Sequence, residues 1–236
     1  MKLSAPIYQL KQQAKRLKRE TAVPLTTAQN QLAQREGYRS WSHLMVKAGN
    51  RNATASILQQ LKKGDLVLLG ARPGQGKTLL ALDLLTTTAQ DGRQAFFFTL
   101  DYHVGDIALR MKDIGADPTQ MGNLFSADTS DDICADYIVA KLGEASAGTV
   151  VVIDYLQILD QRRDNPSLDQ QLSVLKAFAQ SKGITIVILS QIDRSFELTS
   201  AKLPGLANVR LPNKADLSLF TKTCFTHDGQ VELVSR

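Results

Sequence analysis

Four consecutive apolar residues, Leu66-Val67-Leu68-Leu69, lead into a turn of mostly small residues, and the turn leads into a helical pattern over residues 77–90. No other stretch restricts the fold as much. A run that is apolar at every position suits a strand buried on both faces, and such strands belong to parallel sheets covered by helices. The turn follows the pattern of one glycine, four residues, then Gly-Lys-Ser/Thr, with a departure. Gly70 precedes Gly76 by six positions rather than five, so Ala71 holds the first-glycine place. The motif is Ala71-Arg72-Pro73-Gly74-Gln75-Gly76-Lys77-Thr78. Small residues let the backbone wrap a phosphate, and the amides of Gly74 to Thr78 are expected to cradle it where the next helix begins. Lys77 is expected to reach the β- and γ-phosphates, and the Thr78 hydroxyl to hold Mg²⁺. The expected ligand is a nucleoside triphosphate, ATP.

Further apolar runs at 95–98, 150–153 and 184–189 alternate with helical stretches near 104–114, 131–145 and 168–181. Alternation of this kind implies right-handed βαβ units, an α/β fold and an open, mostly parallel sheet. Two weaker strands are expected near 217–223 and 230–234. In such sheets ligands bind beyond the carboxyl ends of the strands, so polar residues at those ends are the candidates for chemistry. Asp154 closes the run Val150-Val151-Val152-Ile153 and is a candidate Mg²⁺ carboxylate. Asp101 follows the run 95–98 and is a candidate for orienting the attacking water. Gln191, after the run 184–189, is a candidate γ-phosphate sensor.

Residues 1–50 read differently, as a basic module of three short helices. Ser4 is expected to cap the first, with Pro6 in its first turn and Ile7, Leu10, Ala14 and Leu17 as its apolar stripe. Thr26 or Thr27 is expected to cap the second, which stops at Gly37. Ser40 is expected to cap the third, which carries Trp41, Leu44 and Met45 and is followed by Gly49. The two helices joined by Gly37-Tyr38-Arg39 have the outline of a helix-turn-helix. Residues 51–63 are expected to be a linker (centred on 50–54) and lead-in helix, and residues 64–236 the main domain.

Charge is uneven. Residues 1–63 hold 12 Lys and Arg against two acids, Glu20 and Glu36, while the rest holds 16 basic and 21 acidic residues. A concentrated basic segment is the footprint of a polyanion, most often nucleic acid. Lys11, Lys15, Lys18 and Arg19 are the candidate contacts in that segment. The two cysteines, Cys134 and Cys224, lack metal-ligand spacing and are expected to be reduced thiols. No apolar run is long enough to span a bilayer and the first residues lack a signal-peptide core, so no membrane role and a cytoplasmic location are expected.

Several stretches together resemble the motor domain of DnaB-type replicative helicases, within the RecA-like ATPases. They are Gly70-Ala71-Arg72-Pro73 with Gly76-Lys77-Thr78, Val152-Ile153-Asp154-Tyr155-Leu156-Gln157, and Leu189-Ser190-Gln191-Ile192-Asp193-Arg194. Residues 214–220 match more loosely, and the resemblance covers about residues 55–236. It implies a RecA-like sheet, ATP hydrolysis with Mg²⁺, single-stranded DNA as partner, and a homo-oligomer such as a hexameric ring. By position it gives Lys77 and Thr78 to phosphate and Mg²⁺, Asp154 to Mg²⁺ and Gln191 to sensing. Asp101 falls where the family has its catalytic glutamate. The family's arginine finger, donated by a neighbouring subunit, has Arg236 as its nearest candidate, with Arg210 and Lys222 behind it. The stretch 193–213, with Arg194, Lys202, Arg210 and the adjoining Lys214, is expected to face DNA. No stretch resembles the family's primase-binding domain. A nucleotide-dependent regulator that hydrolyses little is the other reading, and a KaiC-like or recombinase-like assembly factor a third.

Overall fold

The computed structural model describes residues 3–5, 7–45, 51–162, 164–211 and 213–236. Its centre is a seven-stranded sheet: β1 (Leu66–Ala71), β2 (Ala95–Thr99), β3 (Phe125–Asp128), β4 (Val150–Asp154), β5 (Thr185–Gln191), β6 (Lys222–His227) and β7 (Gln230–Ser235). The spatial order is β3-β2-β4-β5-β1-β6-β7. All neighbours are parallel except β6 and β7, which form an antiparallel hairpin.

Alternation along each strand sorts side chains into two layers. Leu66, Leu68, Val151, Ile153, Ile186 and Ile188 pack on α7 (Ala135–Lys141) and α8 (Leu168–Lys182). Val67, Leu69, Val150, Val152, Val187 and Leu189 pack on α5 (Lys77–Gln90) and α6 (Val104–Asp113). Each fully buried aliphatic side chain contributes roughly 1.5–3 kcal/mol, so these two layers supply most of the driving force for folding. α8 carries start and stop signals: Ser167 and Gln170 form a capping box, and Gly183 ends the helix in a left-handed conformation.

Two expectations about this region are corrected, and one strand, β3, is an addition to those expected. β3 has no apolar run to announce it, because Phe125-Ser126-Ala127-Asp128 is an edge strand that pairs only with β2 and stays partly exposed. The strand expected at 217–223 begins later. Leu217–Leu219 is a single 3₁₀ turn whose start is capped by Asp216, and β6 runs Lys222–His227. The helix expected at 131–145 shortens to Ala135–Lys141, because residues 130–132 are held in turns by Asp128 and Ser130.

Ahead of the sheet lie α1 (Ile7–Thr21), α2 (Leu25–Arg35), α3 (Trp41–Met45) and α4 (Arg51–Gln60). Leu10, Ala33 and Leu44 form a separate small core, with Tyr38, Trp41 and Met45 against it. Ser40 accepts from the His43 N–H at 3.0 Å, as a cap does. Gly37 takes the positive φ of +84° that closes α2. The N-cap position of α1, the end that Ser4 is expected to cap, lies outside what is described; the Ser4 N–H and hydroxyl both donate to Glu36, tying the chain ahead of α1 to the end of α2. Thr26 and Thr27 lie inside α2, whose N-cap position is Pro24. The expected linker is helical from Arg51, with Thr54 buried and donating to Asp83 at 2.5 Å. Pro6, Gly49, Asn50 and the side chain of Ile7 lie outside what is described.

Candidate nucleotide site

The strand order places four polar strand ends side by side: Asp101 just beyond β2, Asp154 ending β4, Gln191 ending β5, and the glycine-rich loop following β1. Asp154 is in register with Thr99, and Gln191 with Ala71. Residues far apart in sequence thus meet along one edge of the sheet.

The loop needs glycine at two points for its backbone. Gly74 and Gly76 have φ of +76° and +83°, which side chains with a Cβ avoid. Gly76 is the N-cap of α5, so the amides of that helix's first turn open toward the loop. Gly70 is a glycine for a different reason. A Cβ there would lie 2.7 and 2.8 Å from the Phe225 ring and 3.0 Å from Ile192 Cδ1. Its place outside the eight-residue motif is therefore set by packing, and Ala71, fully buried, meets no such limit.

Three of the expected residues converge. Asp154 is 0% exposed. Its Oδ1 accepts from Lys77 Nζ at 2.9 Å and its Oδ2 from the Thr78 hydroxyl at 3.0 Å. A buried carboxylate is tolerable only with such partners. Lys77 Nζ also lies 5.9 Å from the Tyr155 ring centroid. A threonine hydroxyl and a carboxylate are hard oxygen donors, the set that Mg²⁺ takes when most of its other ligands are water and phosphate. The residues present fit that ion.

Asp101 is more exposed, and among the described residues its carboxylate has no hydrogen-bond or ion-pair partner. Partial burial raises its pKa above the usual carboxylate range, the neighbouring Asp154 charge adds to this, and Lys77 opposes it. A carboxylate made more basic in this way is suited to taking a proton. The Gln191 side chain accepts from Arg210 Nη1 at 3.5 Å, and the backbone carbonyl of Arg210 accepts from Gln157 Nε2 at 2.9 Å.

Two side chains of the loop turn to protein. Arg72 donates to the Ile192 carbonyl at 2.8 Å and pairs with Glu197 at 2.9 Å. Gln75 Oε1 accepts from Lys11 Nζ and from the Asp228 N–H, both at 3.1 Å.

The candidate polyanion contacts divide. Lys11 is turned inward, its side chain 17% exposed and paired with Asp228 at 3.0 Å. Lys15, Lys18, Arg19, Arg194, Lys202, Arg210 and Lys214 lie at the surface. Of the arginine-finger candidates, Lys222 is buried in an ion pair with Asp65. Arg236 follows β7 at the end of the sheet away from the glycine-rich loop and donates to the Leu217 carbonyl at 2.6 Å. Tyr102 and Arg110 carry no signal in the sequence. Arg110 lies over the Tyr102 ring at 4.3 Å, and both line the cavity beside the loop. No local motif joins them, since Tyr102 precedes α6 and Arg110 lies within it.

A mostly parallel sheet with a glycine-rich loop on an inner strand, and acidic and amide strand ends beside it, defines a RecA-like P-loop protein. The chain belongs to the family described as the DnaB-like helicase C terminal domain, whose model matches residues 52–132 and 120–220. It is 27% identical to the replicative DNA helicase DnaB of Helicobacter pylori, covering 72% of this chain and 42% of that protein. It is 28% identical to the replicative DNA helicase DnaB of Geobacillus stearothermophilus, covering 63% and 40%. The chain thus spans about two fifths of the length of these relatives. Among solved structures it is similar to a DnaB-like replicative helicase, with a TM-score of 0.59, 17% identity, and 92% and 65% of the two chains covered. It is also similar to a KaiC-like protein of Pyrococcus horikoshii, with a TM-score of 0.51, 20% identity, and 69% and 70% covered. Among the described residues no helix is long and apolar enough to cross a membrane.

Proposed function

We propose that the chain binds ATP with Mg²⁺ on the loop 71–78 and hydrolyses it in work on single-stranded DNA, as a cytoplasmic homo-oligomer of ring type. The observation that carries this reading is the convergence of Lys77 and Thr78 on the buried carboxylate of Asp154, one strand from Gln191 and in register with the strand leading to Asp101. Membership of a helicase family supports the coupling to DNA. Thr78 and Asp154 would hold Mg²⁺, which when bound offsets phosphate charge. Lys77 would turn its ammonium from Asp154 to the phosphates and stabilise charge that develops in transfer. Asp101 would accept the proton of the attacking water. Gln191, hydrogen-bonded to Arg210, would connect the γ-phosphate position to the segment 193–211. Arg194 and Arg210 on that segment, with Lys15, Lys18 and Arg19, would meet DNA phosphates.

A second reading, a nucleotide-gated regulator with little turnover, is favoured by one observation. Asp101 is one methylene shorter than the family's glutamate, and a misplacement of about 1 Å can cost roughly 100-fold in rate. Steady-state ATP hydrolysis with and without single-stranded DNA decides between the two, with Lys77→Ala as the blank. DNA-stimulated turnover that vanishes in Lys77→Ala supports the motor. ATP binding without turnover refutes the motor and leaves the regulator.

A further inference from the structure

The cavity beside the glycine-rich loop, about 400 Å³ in volume, is lined by Tyr102 with Arg110 and by two further walls of different origin. One is the loop itself with Lys77, Thr78 and Gln191. The other belongs to the N-terminal helices: Thr26 and Gln29 of α2 and Trp41 and Met45 of α3. We propose that these helices complete the nucleotide site, with Trp41 and Met45 forming the apolar wall against which the base packs. The proposal rests on the reading of the loop as a phosphate site and extends it to the rest of the nucleotide.

Three observations support it. First, the volume suits one small ligand. With phosphates at the start of α5, the sugar and base would extend along the cavity, which Trp41 and Met45 wall on the side of the helices. Second, that wall is preset. The Trp41 backbone N–H donates to Asn30 Oδ1 at 2.9 Å and fixes the start of α3, and the ring is held by packing on the Leu10–Ala33–Leu44 core while remaining partly exposed. An aromatic face whose rotamer is fixed before binding loses little entropy when a base stacks on it. Third, the helices are tied to the loop itself. Lys11 of α1 donates to Gln75, between Gly74 and Gly76, and pairs with Asp228 in the β6–β7 turn. This pair is largely shielded on the lysine side, so it is stronger than a pair in open solvent. The same helix presents Lys15, Lys18 and Arg19 to solvent, so a nucleotide that fixes the wall also fixes a basic surface.

Trp41 is the only tryptophan in the chain, so its emission reports on this wall alone. The test titrates the full chain with Mg-ADP and, separately, with Mg-tripolyphosphate, which has phosphates and no base. Affinities come from calorimetry and the local signal from Trp41 emission. The expected result is a saturable change in Trp41 emission whose midpoint equals the calorimetric Kd for ADP. Trp41→Ala should weaken ADP about 5-fold or more and leave tripolyphosphate within about 2-fold, and Lys11→Ala should weaken ADP by a larger factor than tripolyphosphate. If Trp41→Ala loses helical content, Lys11→Ala carries the test, since Lys11 is outside the small core. ADP binding with unchanged Trp41 emission, or with unchanged affinity in Lys11→Ala, overturns the proposal. Tighter ADP binding in either variant also overturns it, because the helices would then compete with nucleotide rather than hold it. If neither ADP nor tripolyphosphate binds, the phosphate-site reading itself falls, and the proposal with it.

Discussion

Gly70 and Ala71 compete in the sequence for the role of the motif's first small residue, and replacing Gly70 by alanine separates packing from phosphate binding. The new Cβ would sit 2.7 and 2.8 Å from two atoms of the Phe225 ring and 3.0 Å from Ile192 Cδ1. Ordinary carbon contacts are about 3.5–4.0 Å, so the ring or the strand must move by close to 1 Å inside a packed layer. Overpacking of that size costs roughly 1–3 kcal/mol. Loss of chain freedom in the unfolded state returns roughly 0.4–1 kcal/mol, because Gly70 lacks a positive φ and alanine can adopt its backbone. The net expectation is a loss of about 1–2 kcal/mol, or a fall in Tm of roughly 2–8 °C for a domain of this size. Urea denaturation followed by circular dichroism measures it. Shrinking the obstacle with Phe225→Leu in the same chain should recover part of the loss, so the double variant is less destabilised than the sum of the singles. Nucleotide affinity, compared at equal folded fraction, should stay within about 2-fold. Gly70→Ala as stable as the parent would refute the packing argument, and a large loss of nucleotide affinity in a folded Gly70→Ala would give Gly70 a place in phosphate binding.

Other outcomes follow from the same geometry. Because its folded pKa is raised, Asp101 holds its proton to higher pH when folded than when unfolded, so stability declines as pH rises from the ordinary aspartate value through the folded one. Asp101→Asn removes that decline, and denaturation midpoints measured between about pH 3 and pH 7 on both proteins should differ in slope with this sign. If hydrolysis occurs, its rate should rise with pH as Asp101 ionises, Asp101→Asn should fall to the Lys77→Ala blank, and Asp101→Glu should increase kcat. Lys222→Ala strands the buried Asp65 carboxylate and should cost roughly 3–5 kcal/mol in denaturation, while Lys222→Met combined with Asp65→Leu should restore most of it. Burial pushes the Cys224 thiol up to about 12, so under native conditions a thiol reagent should label only Cys134, and a second thiol should appear on denaturation.

How much of this is legible in the sequence depends on whether the signal is local. β1, β2, β4 and β5 are buried on both faces and have to be apolar at nearly every position, so four short runs locate them. The helix after the loop is legible for the same reason, and its start at Lys77 agrees with the motif. β6 is displaced from its expected place because its buried positions include Lys222, Thr223 and Thr226; a polar residue paired inside the protein is indistinguishable, in sequence, from one facing water. β3 is hidden by being an edge. Asp101, Asp154 and Gln191 can be placed at strand ends, since the parallel topology fixes which ends share an edge. The place of Trp41 and Met45 in the cavity wall and the hold of Lys11 on Gln75 cannot be read, because contacts between residues 11, 75 and 228 leave no periodicity behind.

The two outward-turned side chains of the loop have a thermodynamic consequence. Arg72 grips the segment that follows β5, through Ile192 and Glu197, while Gln75 grips α1 and the β6–β7 turn. A loop wired on both sides cannot change shape for its own ligand alone. Linkage is reciprocal: whatever factor a phosphate ligand applies to the segment 193–213 or to the N-terminal helices, a polyanion bound to either must return to the affinity of the loop. If both ligands bind as proposed, the residues at the motif's unspecified places, rather than its glycines, lysine and threonine, would set how strongly the two kinds of binding feel each other.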